Sequence, residues 1–344
     1  MRWGRLAAVA LAVLGIVAAG LWLGRDVLAD RAIRARLQAR PDMSFIEDKE
    51  HIRVLLCGTG SPEVSGARAQ ACTMVSAGGR MFLFDAGHGA VRSLLGSKVP
   101  VGRLERVFVT HFHSDHINDL GPLINQTWIW GRKVSLVVEG PVGMKRVLAG
   151  LAEAYALDEQ YRSANMPHLA ATRTAAFADG REIAVPGAGT SVRVYDDGGV
   201  TIDATLVVHD PVRPALGFVL RYKGKKVFIS GDTEVSPVNL AAMQGSDLVI
   251  HESYATHMIR RAIPQMRALG MNFEAEVATR TIPYHADNLK LAEQAQQAGV
   301  KHLVLTHMIP WPDSFIVRHM YTEGMAERFH GKLTVGEDGM VIVL

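Results

Sequence analysis

The most informative segment of this chain is 110-THFHSDHINDL-120. In a chain with 14 histidines among 344 residues, it places three histidines and one aspartate within six positions: His111, His113, Asp115 and His116. The preceding run 106-RVFVT-110 is typical of a buried strand. A strand end holds side chains rigidly, and metal ligands must be held in fixed positions. The stretch therefore predicts a metal-binding loop at the end of a strand.

Three further residues with ligand chemistry follow strand-like runs elsewhere in the chain. His209 ends 200-VTIDATLVVH-209, Asp232 follows 226-KVFIS-230, and His307 follows 302-HLVLT-306. Each would carry little weight alone, but all three repeat the context of an apolar strand followed by a ligand. Imidazole and carboxylate ligands without thiolates suit Zn²⁺ best, with Mn²⁺ or Fe as alternatives.

Apolar runs and helical stretches alternate from about residue 50 onward, which predicts an α/β domain. Further strand-like runs are 52-IRVLLC-57, 81-MFLFD-85, 134-VSLVVE-139, 216-LGFVLRY-222 and 247-DLVI-250. Helices are expected around 142–155 and 286–298, and residues 158–190 are expected to form an irregular insertion.

The N-terminus has a different character. Leu6 to Gly24 is an uncharged run of 19 residues, which as a helix would span about 28 Å. We expect an N-terminal transmembrane or signal helix over 1–30, a connector over 31–49 and the folded domain over 50–344. On this basis the protein is membrane-anchored, with its catalytic domain periplasmic or extracellular. A cleaved signal, cut after 27-VLA-29, would make it secreted.

Composition limits the classes of function. Hydrophobic residues make up 48% and charged residues 21%, and the net charge is only +3. That balance does not suggest a dedicated nucleic-acid binder. Cys57 and Cys72 are not spaced as a metal-binding pair. Free core thiols are favoured for them over a disulfide.

Taken together, these residues resemble the metallo-β-lactamase superfamily over essentially all of 50–344. Besides the HxHxDH motif, the resemblance rests on four segments: 56-LCGTGSP-62, 83-LFDAGHGA-90, 230-SGDT-233 and 305-LTHM-308. Within the superfamily, the GTGSP turn, 251-HESYAT-256 and the segment 285–307 are most similar to the ribonuclease Z and arylsulfatase-like branch. The departure is 285-HADN-288, where ribonuclease Z usually has a small hydroxyl residue after the histidine.

The resemblance implies a four-layer αββα sandwich with a dinuclear zinc site at one edge, two Zn²⁺ per chain. Carried over by motif, His111, His113 and His209 would hold the first ion. Asp115, His116 and His307 would hold the second, and Asp232 would bridge the two. Asp85 and Asp119 are candidates for orienting the histidine rings, although Asp85 can equally be a turn residue before Gly87.

Two divalent ions would lower the pKa of a bridging water and supply a hydroxide near neutral pH. This chemistry predicts an enzyme that hydrolyses ester bonds, most readily phosphodiesters or sulfate esters, with Asp115 in the catalytic set. His285 carries no metal in this assignment and is the candidate general acid or oxyanion contact, with a helix-capping histidine as the alternative. His251 and Glu252 are candidates for supporting it.

Other functions stay open at this point. The named branch suggests tRNA 3′-processing, but the near-neutral charge argues for a small-molecule ester and makes nucleic acid an unexpected partner. Lactone or β-lactam hydrolysis is a further alternative. A non-catalytic binding module is disfavoured because the ligand set is complete. The expected partners are therefore a small ester, a membrane through the N-terminal helix, and a second copy in a homodimer.

Overall fold

The computed structural model describes residues 2–38, 40–63, 66–185, 187 and 189–344. Its internal contacts divide the chain into two units, Met1–Asp42 and Met43–Leu344. The boundaries expected at residues 30 and 49 remain predictions.

The first unit consists of two helices, α1 (Arg2–Leu23) and α2 (Arg25–Gln38). Within the part of the chain that the structure describes, neither of them nor any other single helix has the length and apolar character needed to cross a bilayer. The segments Ala10–Leu23 and Arg25–Arg36, bent by 61° relative to each other, meet the criteria of length and composition only as a pair. The break falls at Gly24, where the apolar run ends and α2 begins with Arg25 and Asp26. The expected transmembrane helix is therefore not supported.

The second unit contains fourteen strands and eleven α-helices among the described residues. The strands are β1 (Arg53–Gly58), β2 (Cys72–Ala77), β3 (Arg80–Phe84), β4 (Leu104–Phe108), β5 (Leu136–Pro141), β6 (Ala178–Ile183), β7 (Ser191–Asp197), β8 (Val200–His209), β9 (Val212–Tyr222), β10 (Lys225–Ile229), β11 (Leu248–Tyr254), β12 (His302–Ile309), β13 (Lys332–Val335) and β14 (Val341–Val343). The helices are α3 (Ser44–Glu47), α4 (Ala90–Gly96), α5 (Ser114–Ile117), α6 (Leu120–Ile129), α7 (Met144–Asn165), α8 (Pro167–Ala170), α9 (Pro237–Met243), α10 (Thr256–Ala268), α11 (Asn272–Thr281), α12 (Asn288–Gln297) and α13 (Phe315–Thr322).

The strands form two mixed sheets of seven strands each. The first has the order β14-β1-β2-β3-β4-β5-β6 and the second β13-β12-β11-β10-β9-β8-β7. At one side of each sheet, neighbouring strands run parallel to each other. These strands are β3 to β6 in the first sheet and β10 to β13 in the second. Parallel strands end at the same edge of a sheet, so the loops that follow them are gathered there.

The two sheets pack face to face with helices on their outer faces. Aromatic side chains of both sheets meet between them, with Phe84 and Phe108 each 5.3–5.4 Å from the ring of Phe218. The outer face of the first sheet packs against α4, α6 and α7, and that of the second against α9, α12 and α13. Each strand in the middle of these sheets is therefore buried on both faces, which explains its continuous apolar run. The arrangement is consistent with the expected αββα sandwich.

Residues 158–190 are more regular than their composition suggested. Helix α7 extends through Asn165 rather than ending near residue 155, α8 follows, and β6 adds an edge strand to the first sheet. Proline and glycine in this segment occur mainly outside the helices, with Pro167 at the first position of α8. The expectation of an irregular insertion is wrong for the described part of this segment.

Cys57 and Cys72 form a disulfide, with a Cα–Cα distance of 5.0 Å. The antiparallel pairing of β1 with β2 sets Gly58 opposite Cys72 after an irregularity in the register, which brings the two cysteines side by side. Both are buried. The preference for free core thiols is therefore wrong, because the strand pairing that brings the cysteines together is not visible in their sequence spacing.

Candidate metal centre

Seven side chains from both sheets converge at the edge where the parallel strands end. The loop after β4 supplies His111, His113, Asp115 and His116. The second sheet supplies the other three, from the end of β8, the loop after β10 and the C-terminal part of β12: His209, Asp232 and His307. All are buried except His113, which is half-buried. The structure therefore brings together every residue that the sequence assigned as a metal ligand.

The loop after β4 changes conformation halfway along, and this divides its ligands. His113 is extended, with φ −61° and ψ 147°, and it precedes the single turn of helix α5 that contains Asp115 and His116. An extended residue followed by a helical turn points successive side chains in different directions. His111 and His113 consequently face one position, and Asp115 and His116 face another.

The described residues form three groups of potential ligand atoms, of which two share one carboxylate and the third is His209, Glu252 and His285. In each group the ligand atoms lie within 4.8 Å of one another: His111, His113, His209 and Asp232 in the first, and Asp115, His116, Asp232 and His307 in the second. Asp232 lies 3.3 Å from Nε2 of both His116 and His307, and 3.8–3.9 Å from Nε2 of His209 and His111. Its position between the groups is the one a bridging ligand requires.

Several atoms of the cluster have no hydrogen-bond partner among the residues that the structure describes. They are buried and unsatisfied: Nε2 of His111, His116 and His209, Nδ1 of His307, and both carboxylate oxygens of Asp232. Leaving a buried polar atom unpaired costs about 1–3 kcal/mol, so a folded protein rarely tolerates such a concentration in one place. A divalent cation would satisfy atoms of this kind, and a set of imidazoles and carboxylates is suited to bind one. The cluster is compatible with a divalent metal site.

Two of the histidine rings, those of His116 and His209, are held in place by hydrogen bonds from Nδ1. Nδ1 of His116 donates to the Asp85 carboxylate at 2.8 Å, which also accepts from the backbone N–H of Thr110 at 2.7 Å and from its hydroxyl at 2.8 Å. Nδ1 of His209 donates to the carbonyl oxygen of Tyr284 at 3.0 Å. With Nδ1 engaged, Nε2 of each ring is left to face the cluster.

Asp119 does not share this role. Its carboxylate accepts from the backbone N–H of Val91 at 3.1 Å, in the first turn of α4, and among the described residues no hydrogen bond joins it to a histidine of the cluster. Asp85 therefore has the orienting role proposed for both residues, even though it also occupies a turn with φ 60°. Asp119 instead fixes the start of α4.

The carboxylates of Asp85, Asp115 and Asp232 give the site a negative potential. Burial opposes the charged form of His307, yet Asp232 and Asp115 raise the pKa of His307 to about 9. Burial, together with the charge of His116, lowers the pKa of His111 well below the usual value. The pKa of Asp232 is well below its usual range, because the surrounding imidazoles outweigh its burial. A site that attracts positive charge in this way favours a cation.

His285 lies against the cluster without joining either group that contains Asp232. Its ring is 5.2 Å from that of His209 and 5.6 Å from that of His307. Nδ1 donates to Oε1 of Glu252 at 2.8 Å, and Glu252 also accepts from the backbone N–H groups of Thr233 and Ala286. The histidine is in the loop before α12, which begins at Asn288 with Asp287 as its N-cap. It therefore does not cap the helix, and Glu252 fixes its ring.

The structure does not bring His251 to the cluster. It precedes Glu252 on β11, so its side chain points to the opposite face of the sheet. There it packs near Phe228, and its Nδ1 donates to the carbonyl oxygen of Glu252 at 2.7 Å. Of the two residues expected to support His285, only Glu252 contacts it.

Sequence reasoning missed two residues that help to build the site. Tyr284 supplies the carbonyl oxygen that holds His209, and its ring contacts both His209 and His285, at 5.0 and 4.8 Å. Tyr254 stacks on His285 at 5.6 Å. Tyr284 directly precedes His285, and this adjacency was the signal that could have identified it.

Comparisons with known proteins agree with this geometry. A family model described as a β-lactamase superfamily domain matches residues 80–308. The ribonuclease Z of Mycobacterium sp. (strain KMS) is 32% identical over 261 residues, which cover 75% of this chain and 85% of the relative. The ribonuclease Z of Mycolicibacterium paratuberculosis (strain ATCC BAA-968 / K-10) is 31% identical over 292 residues, 83% of this chain and 96% of the relative.

Solved structures show the same fold at lower identity. Human tRNase Z, short form, has a TM-score of 0.60 at 22% identity, covering 84% of this chain and 98% of the human protein. The metallo-β-lactamase fold protein YhfI from Bacillus subtilis has a TM-score of 0.59 at 19% identity, covering 86% of this chain and 100% of YhfI.

These findings overturn two expectations. The expected partners, a small-molecule ester and no nucleic acid, conflict with curated relatives that are named as ribonucleases. The inference failed because a net charge is summed over the whole chain and does not report the local charge beside a site. The expected location, at a membrane with the catalytic domain outside the cytoplasm, is also wrong. Its basis was a transmembrane helix that the described residues do not supply, and the relatives named ribonuclease Z do not support it.

Proposed function

The chain belongs to the metallo-β-lactamase superfamily and is a metal-dependent hydrolase of ester bonds, and on that premise we propose that it is a ribonuclease Z-like phosphodiesterase that cleaves tRNA precursors near their 3′ end. The observation that carries the proposal is a pair of ligand groups sharing Asp232, in a chain 32% identical to a ribonuclease Z. The relatives favour this substrate over sulfate esters.

We further propose that the two groups hold two Zn²⁺ ions. Seven ligands are too many for one ion of four- or five-fold coordination, and five of the seven are imidazoles, which suit Zn²⁺. His111, His113 and His209 would hold one ion and Asp115, His116 and His307 the other, with Asp232 shared. When bound, such ions acidify water and neutralise negative charge on a reacting phosphate.

The protein's own groups then have separate tasks. Asp85 and the carbonyl oxygen of Tyr284 keep the rings of His116 and His209 oriented, so that the ligand atoms need no rearrangement during the reaction. His285 stands beside the cluster with Nδ1 engaged by Glu252. Its Nε2 is left to hold a proton.

Hydrolysis adds water to phosphorus and breaks the bond to the leaving oxygen, which must gain a proton. His285 is the group placed to give that proton from Nε2, while Glu252 stabilises the ring as its charge changes. The buried carboxylate of Glu252 is held by three hydrogen bonds, from His285, Thr233 and Ala286, so it keeps this orientation throughout.

The proposal is tested with a tRNA precursor that carries a 3′ trailer, assayed beside bis(p-nitrophenyl) phosphate and p-nitrophenyl sulfate. We expect zinc-loaded protein to cleave the precursor at one position near the trailer and to hydrolyse the phosphodiester faster than the sulfate ester. Turnover of bis(p-nitrophenyl) phosphate without any cleavage of RNA would show a phosphodiesterase with another substrate. Faster turnover of the sulfate ester would contradict the proposal outright.

A further inference from the structure

A cleft with a cavity volume of about 230 Å³ opens beside His285. One wall is α10, another is the short 3₁₀ helix Ile282–Tyr284, and the third is the first turn of α12. Because His285 lines the cleft and also contacts His209 and His307 of the metal cluster, the cleft adjoins the candidate catalytic site.

Two cations line this cleft, and neither pairs with a carboxylate of the described part of the chain. Arg260 is exposed on α10, whose sequence contains three arginines and no acidic residue. Lys290 is exposed on α12. Among the residues that the structure describes, neither side chain makes a hydrogen bond or an ion pair. Unpaired cations beside a phosphodiester-cleaving site are the groups that bind phosphate oxygens.

The other residues that line the cleft include apolar and acidic side chains, and together they limit which kinds of ligand would fit. Ile282 and Pro283 form an apolar wall, while Glu234 and Asp287 add two carboxylates. Asp287 is occupied as the N-cap of α12, where it accepts from the backbone N–H of Lys290 at 3.0 Å. Glu234 is left to accept a hydrogen bond. A ligand with an anionic group, a flat apolar face and hydroxyl or amino donors fits this lining, and a nucleotide has all three.

We infer that this cleft is a nucleotide subsite, which binds the RNA nucleotide adjoining the scissile phosphate. Arg260 and Lys290 bind its phosphate, Ile282 and Pro283 pack on its base, and Glu234 accepts from a ribose hydroxyl or a base amino group. The inference rests on the proposed function and deepens it, since it assigns substrate binding to the α10 segment.

The test compares charge reversal inside and outside the cleft. The variants Arg260→Glu and Lys290→Glu are assayed on the 3′-extended tRNA precursor and on bis(p-nitrophenyl) phosphate. Arg261→Glu is the matched control, because Arg261 is exposed on the same helix but about 100° further round, and it does not line the cleft. Metal content and melting temperature are measured for each protein.

We expect the ratio of kcat/KM on RNA to kcat/KM on bis(p-nitrophenyl) phosphate to fall about tenfold or more in the two cleft variants at low salt. The dependence of RNA binding on salt should weaken by about one unit of log–log slope for each phosphate that the variant no longer neutralises. The ratio for Arg261→Glu should stay within about twofold of the wild-type ratio, because Arg261 lies outside the subsite.

Equal decreases in the kcat/KM ratio of Arg260→Glu and Arg261→Glu would show that the effect of charge is not specific to the cleft. That result would contradict the assignment of the cleft as a subsite. An unchanged ratio in both cleft variants would do the same while leaving the proposed function standing. Wild-type protein that hydrolyses bis(p-nitrophenyl) phosphate but leaves the precursor intact would overturn the proposed function and this subsite together.

Discussion

The Asp85 carboxylate accepts a hydrogen bond of 2.8 Å from Nδ1 of His116, and this bond joins the end of β3 to the ligand loop after β4. Asp85 is buried and has a left-handed backbone, with φ 60°. Aspartate and asparagine tolerate that conformation better than most residues, so an exchange between them isolates the carboxylate.

Replacing Asp85 with Asn should weaken metal binding at the group that contains His116 by about 10–100-fold, because a neutral amide orients the imidazole less firmly and lowers its basicity. Competition with a chromogenic chelator measures this affinity. Asp119→Asn is the control, since Asp119 hydrogen-bonds the backbone of α4, and its affinity should match that of the wild type. Equal decreases in the two variants would contradict the orienting role of Asp85.

Removing the shared carboxylate should affect both ions. Asp232→Ala is expected to lose metal from both groups, because Asp232 lies between them, at 3.3 Å from Nε2 of His116 and of His307. His307→Ala should lose metal mainly from one group. Elemental analysis after dialysis against dilute zinc gives the stoichiometry. Two ions retained per chain in Asp232→Ala would rule out a bridging ligand there.

His285→Ala should keep both ions and lose catalytic rate by about 10²–10⁴-fold, the usual effect of removing a proton donor. The decrease should be smaller for p-nitrophenolate, a leaving group that needs little protonation. Glu252→Gln should lower the rate by a smaller factor, since it leaves the imidazole in place. His251→Asn, on the far face of β11, should retain the rate of the wild type. Zinc lost in proportion to activity in His285→Ala would identify His285 as a ligand instead.

The double variant Cys57→Ser, Cys72→Ser should be less stable than the wild type by about 3 kcal/mol, because the disulfide closes a loop with a sequence separation of 15 residues. Urea unfolding with and without a reductant measures the difference in the free energy of unfolding. Two thiols titrated in unreduced, denatured wild-type protein would show that the bond is absent.

The ligand cluster could be anticipated because each ligand lies at or near the end of an apolar strand, and strands that run in the same direction end at one edge of a sheet. The residues that form hydrogen bonds to these ligands are harder to predict from the sequence. Asp85 and Asp119 both lie near apolar segments, yet only the packing of β3 against β4 places one of them on His116. His251 and Glu252 are neighbours on one strand, so only one of them can face the site, and the sequence alone does not say which.

The segment between β11 and His285 was the largest omission from the sequence analysis. Pro264 lies inside α10 and Gly270 follows that helix, and both residues obscure the helical pattern. This segment contains Arg260 and borders the cleft. Because the whole chain is nearly neutral, its net charge gave no indication of unpaired cations beside the site.

The proposed hydrolysis of RNA at the cluster around Asp232 requires bound metal. The most direct test titrates Zn²⁺ into metal-free protein while cleavage of a 3′-extended tRNA precursor is followed. We predict no cleavage at the start, a rise that saturates near two ions per chain in the wild type, and no rise in Asp232→Ala. Cleavage by metal-free protein, or equal activation of Asp232→Ala, would contradict metal-dependent hydrolysis of RNA at this cluster.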